Sequence, residues 1–140
     1  MATNMQLQLN SDLLSDTISV TTDMQPACMK AGTSADDLDQ LRMGYVEIAT
    51  GTNFDLFNAD NGLNKDKGNK VYICNNSTDE TYYVIITIDA TVVGRLYAND
   101  WMFIPWGAED ATADIEIRAY TGTNKITYML FHEGETLTSA

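Results

Sequence analysis

The feature that most constrains this chain is a period of two. Residues 114–120 (DIEIRAY) alternate strictly and put Ile115, Ile117 and Ala119 on one face. Residues 125–131 (KITYMLF) alternate again, with Ile126, Tyr128 and Leu130 opposed to Thr127, Met129 and Phe131. Residues 82–88 (YYVIITI) are β-branched and aromatic, the composition that suits a pleated, half-buried surface. Further short strands are predicted at 71–74, 91–93 and 101–104, the last two ended by Gly94 and Pro105. The first half carries the same signal more weakly at 5–9, 17–21, 45–49 and 54–57. Turn residues bound these runs: the polar stretch 75–79, the tight Asp89-Ala90 connection and a hairpin turn at 121–124. A pattern of about nine or ten short strands at such spacing predicts an all-β, antiparallel β-sandwich, jelly-roll-like.

One stretch departs from it. Ser34-Ala35-Asp36-Asp37, followed by Leu38 and Leu41, reads either as the capped start of one short helix or as an acidic loop. At 140 residues the chain is a single domain, 1–140, large enough to bury roughly 70% of its unfolded surface. Residues 1–22 are polar and barely amphipathic, and are read as an N-terminal arm.

Charge narrows the partners. Twenty acids face eight bases, a net charge of −12. Such a surface repels phosphate backbones and anionic lipid, so neither nucleic acid nor a membrane is expected as a partner. Residues 1–12 lack the basic and apolar regions of a signal peptide, and no window reaches the roughly 18 apolar residues of a membrane span. A soluble protein made in a cytoplasm is the expectation. Cys28 and Cys74 lie far apart without a CxxC, and are read as free thiols acting as small hydrophobes.

Chemistry is sparse. His132 is the only histidine and is expected to be solvated; no G-x-S-x-G accompanies it. The loop 60–66 fails the calcium-loop pattern, because Phe57 and Leu63 stand five residues before Gly62 and Gly68. Asp36, Asp37 and Asp39 read as a solvated acidic face, with weak cation binding at an interface as the sharper alternative. The acid pairs Glu109-Asp110, Asp79-Glu80 and Glu133/Glu135 read as charged loops, and the overlapping sequons at Asn75 and Asn76 as a polar turn. No enzyme, catalytic residue, metal or cofactor is expected.

The stretch 95–106 (RLYANDWMFIPW) holds both tryptophans. Alternation separates Trp101 and Phe103 from Met102 and Ile104; Trp101 is assigned to the core. Tyr97, Met102 and Trp106 are assigned to contact with a partner.

Taken in order, residues 71–73, a polar turn, 82–88, Gly94-Arg95-Leu96, the acidic turn 98–100, the run Phe103-Ile104-Pro105-Trp106, residues 114–119 and Tyr128-Met129-Leu130-Phe131 form a recognisable series. It resembles small β-sandwich virion structural proteins of tailed bacteriophages. In those, a G-R-L, acidic turn and F-x-P-W segment precedes a final hairpin ending in Y-M-L-F. The resemblance covers residues 70–133, with a looser echo at 17–22 and 45–57. It implies a non-enzymatic capsid decoration (cement) protein of the phage head. Such a protein assembles in the host cytoplasm, forms homo-oligomers and binds the major capsid protein from outside. Head–tail, tail and fibre-base components share the fold class. A carbohydrate- or receptor-binding module using the Trp101–Trp106 aromatics is the other reading.

Overall fold

A computed structural model of the chain describes residues 5–11, 18–24, 40–59, 68–108 and 112–132, with side chains described at 42–59, 69–108 and 112–132. Among the described residues, ten strands run in chain order: β1 (Met5–Ser11), β2 (Ile18–Met24), β3 (Gln40–Ile48), β4 (Asn53–Phe57), β5 (Gly68–Asn75), β6 (Tyr83–Ile88), β7 (Thr91–Tyr97), β8 (Trp101–Gly107), β9 (Ile115–Ala119) and β10 (Asn124–His132). Eight of them make two four-stranded antiparallel sheets, β3-β10-β5-β8 and β4-β9-β6-β7, which together are the β-sandwich. The sandwich is therefore smaller than the nine or ten strands expected. The remaining two, β1 and β2, pair with each other from Met5↔Met24 to Ser11↔Ile18. Part of the expected N-terminal arm thus carries a two-stranded ladder.

The order of the eight strands is that of a jelly roll. First pairs with last (β3 with β10), second with seventh (β4 with β9), third with sixth (β5 with β8), and the middle two with each other (β6 with β7). A consequence is that within the sandwich β6–β7 is the one pair of consecutive strands joined as a hairpin. Asp89 and Ala90 both take positive φ, 50° and 57°, the signature of a type I′ turn whose twist matches that of the flanking strands. Every other connection in the sandwich passes from one sheet to the other. The expected hairpin turn at 121–124 is one of these corners, because β9 and β10 belong to different sheets.

Strands also run through residues expected to end them. Gly94 lies inside β7, beside an irregularity at which the partner of β6 jumps from Gly94 to Val92. Pro105 lies inside β8, an edge strand, where a missing N–H leaves no neighbour unsatisfied. The Ser34–Leu41 helix-or-loop segment lies outside the described residues up to 39, and Gln40 and Leu41 already belong to β3. No helix occurs among the described residues.

The core sits between the sheets. Val71, Ile73, Ile126, Leu130 and Trp106 come from one sheet, and Val84, Ile86, Ile115, Ile117 and Ala119 from the other. β4 is bulged between Asp55 and Phe57, which lets two consecutive residues, Leu56 and Phe57, both turn inward. Phe57 then meets Trp106 at 5.7 Å and Tyr128 edge-on at 5.5 Å between ring centroids, joining the two sheets. Tyr128 can lie there because it rests on Gly44, where a side chain would collide with its ring.

Candidate docking face

Burial divides the aromatic stretch of β7 and β8 against expectation. Trp106 is 2% exposed, belongs to the core and donates its indole N–H to the carbonyl of Ala113 at 2.8 Å. Met102 is half-buried and packs against the same core. Trp101 is 49% exposed. The alternation within β8 is as expected, but the core face is the other one: Met102, Ile104 and Trp106 point in, and Trp101, Phe103 and Pro105 point out. Both faces of this strand are apolar, so its pattern alone carries no sign of which faces water. Trp106 and Met102 thus face the core and not a partner, and Trp101 and Trp106 on opposite faces of β8 form no common sugar platform. Tyr97 is exposed as assigned, but on the other sheet. The chain changes sheets between Tyr97 and Trp101, so the three assigned residues do not meet.

What the structure does assemble is the outer face of β3-β10-β5-β8. Ladder register sets three rows across the four strands. The first is Tyr45–Thr127–Cys74–Trp101, and the second is Met43–Met129–Tyr72–Phe103. In the third, Phe131, Lys70 and Pro105 follow Leu41. Each row is about 14 Å wide at the usual strand spacing. Met43 and Tyr45 are 62% and 56% exposed. The rings of Tyr72 and Trp101 lie 6.3 Å apart, and those of Phe103 and Phe131 6.1 Å. Charge is scarce: Lys70, Lys125 and Glu47 are the charged residues at the outward positions with described side chains. Glu47 accepts a hydrogen bond from the Tyr45 hydroxyl at 2.9 Å. Partial desolvation, then the neighbouring Cys74, pushes the Tyr72 phenol above its ordinary range. Desolvation, then Glu47, does the same for Tyr45, so both remain neutral donors.

Cys74 is a free thiol on this face, and donates to the Asn76 side-chain oxygen at 3.2 Å. Cys28 lies outside the described residues, as do Asp36, Asp37, Asp39, Glu109, Asp110, Glu133 and Glu135. His132 is 5% exposed, a correction to its expected solvation: it ends β10 on the inward side of the alternation. Asp79 accepts from the Thr81 backbone N–H and hydroxyl at 2.9 and 2.6 Å, closing a turn. Register brings together one carboxylate pair missed in the sequence, Asp55 and Glu116 on neighbouring strands. Burial, then the Asp55 hydrogen bond and charge, raises the Glu116 carboxyl. Asp55 also lines a cleft of about 490 Å³ between the edges of β3 and β4, with Arg42 and Asn58 beside it and Phe57, Tyr128 and Leu130 among its walls. Among the described residues, no group of three or more His, Cys, Asp or Glu is gathered for a metal ion.

No protein-family model matches the chain, and no curated protein matches it in sequence.

Proposed function

We propose that the chain is a non-enzymatic structural protein of a virion, of the capsid-decoration kind, which binds the outer surface of major capsid subunits through the outer face of β3-β10-β5-β8. One observation carries this reading: a molecule of net charge −12 keeps a continuous aromatic and methionine-rich face with a single described carboxylate. Protein interfaces have that composition at their centre, rich in Tyr, Trp, Phe and Met and poor in charge. Methionine, unbranched and polarizable, adapts to a partner's contours. Charge also argues for a different protein over a second copy. Two copies face to face would bring two strongly acidic bodies together. The phage assignment rests on the resemblance carried by residues 70–133, and the jelly-roll strand order is compatible with it.

Co-sedimentation of the purified chain with intact tailed-phage heads, against bare capsids, tests the proposal. Stoichiometric binding is expected, and Trp101→Glu should abolish it while leaving the melting temperature unchanged. Failure to bind heads would overturn the reading, as would equal binding by the variant. So would a stable oligomer in light scattering that Trp101→Glu dissociates, since the face would then join copies of this chain.

A further inference from the structure

The outer face of the second sheet has a different character. Tyr120, Tyr83 and Tyr97 stand side by side on three neighbouring chain segments. The Tyr83 ring is 5.0 Å from Tyr120 at 19° and 5.1 Å from Tyr97 at 42°. The row beside it, two residues along each segment, reads Arg118–Ile85–Arg95. Tyr120 and Tyr97 are 58% and 41% exposed, and each has an arginine as its neighbour along the chain direction. The Arg95 guanidinium lies 5.0 Å over the Tyr83 ring. The residues beside Arg118 in its row are Asn53 and Ile85, and the carboxylates Glu116 and Asp55 stand one row further along the same face, on the side away from the tyrosines. The two arginines are two strand spacings apart, about 10 Å.

We infer that this Tyr–Arg array is a binding site for an acidic, uronate-bearing polysaccharide. Each guanidinium presents a planar fork of donors that matches a carboxylate in bidentate fashion. The open ring faces of Tyr120 and Tyr97 and the Ile85 side chain offer apolar surface to the C–H faces of sugar rings, and the phenol hydroxyls reach their alcohols. β7, which carries Tyr97 and Arg95, is the edge strand of its sheet, but the rings and guanidinium forks of the array stand on the sheet face, whereas an extended peptide engages the backbone edge. That favours a sugar chain over an acidic protein segment. The site lies on the sheet opposite the docking face, so a molecule held by one face leaves the other open. The inference does not rest on the proposed docking, and is tested on the isolated chain.

The probe is alginate, with dextran as the neutral control and polyglutamate as the acidic peptide control. Affinity is read by titration calorimetry or gel retardation at physiological ionic strength, where a Debye length of about 8 Å screens the overall negative charge but not direct contacts. Generic charge attraction cannot mimic the result, because the net −12 repels every polyanion. The expected result is binding to alginate, little to dextran, and a loss of about tenfold for each of Arg95→Ala and Arg118→Ala, with unchanged melting temperatures. Tyr120→Ala should also weaken it. No alginate binding, binding unchanged in the double arginine variant, or tighter binding to polyglutamate would each overturn the assignment.

Discussion

Trp106 and Trp101 are five residues apart and do opposite work. Removing the Trp106 side chain opens a cavity beside Phe57 and leaves the Ala113 carbonyl without its indole donor. Trp106→Ala should cost about 3–5 kcal/mol in a urea titration, whereas Trp101→Ala should stay within about 0.5 kcal/mol of the parent. Asn75 shows a second contrast. In sequence it opens a polar turn. In the structure it is fully buried, donating to the Leu96 carbonyl and to Asn124 at 3.0 Å each and accepting from Ser77 at 2.6 Å. Asn75→Ala strands these partners inside the fold, and a loss of about 1–3 kcal/mol is expected in the same titration. Asp79 gives a pH signature. Its hydrogen bonds from Thr81 hold the folded carboxyl below its ordinary 3.8. The stabilisation is therefore complete above that value and is lost as pH falls through the folded pKa. The difference in melting temperature between the parent and Asp79→Ala should shrink with acidification through that window.

At the scale of elements, the sequence is most legible where one face of a strand is apolar and the other polar. β9 is the clearest case, with Ile115, Ile117 and Ala119 all buried as alternation requires. β8 is the least clear, because both its faces are apolar. β4 breaks the rule through its bulge, so Phe57 is buried next to Leu56 without any local signal. The candidate docking face was legible only in pieces. Residues 127, 129 and 131 were separated correctly from 126, 128 and 130, but no pattern within β10 says that Trp101 lies in the row of Thr127 and Tyr72 in the row of Met129. Turn chemistry was legible as a place of chain reversal and not as a kind of connection. The β6–β7 turn keeps an alanine at φ 57°, a left-handed conformation that glycine enters without a steric penalty. Ala90→Gly should therefore raise stability by about 0.5–1 kcal/mol, read as a shift of the urea midpoint with an unchanged slope.

For the whole molecule, nesting has a kinetic consequence. The first and last strands of the sandwich, β3 and β10, pair along their full length, and three further pairs close inside them. Such long-range pairing closes large loops before contacts repay the entropy. Refolding is expected on the order of milliseconds to seconds, slow for a domain of this size, and stopped-flow tryptophan fluorescence measures it through buried Trp106. Charge gives the molecule two unlike sides. Docking through the aromatic face should hold or strengthen as salt rises, whereas binding at the Tyr–Arg array should weaken, since only the second depends on contact between opposite charges.

The sequence by itself determined the strands, the relative sides of their residues and the acidic character of the surface. These follow from local physics: a two-residue period, turn residues with particular backbone freedom, and a sum of charges. Only the tertiary structure decided which sheet each strand joins, which side of β8 meets the core, and which distant side chains share a row. A strand's alternation is symmetric between its two faces, and a turn is silent about the sheet it leads to. Both are settled by the pairing of residues far apart in the chain, and it is that pairing which lays Met43, Met129, Tyr72 and Phe103 in one line and Arg118 and Arg95 on either side of Ile85.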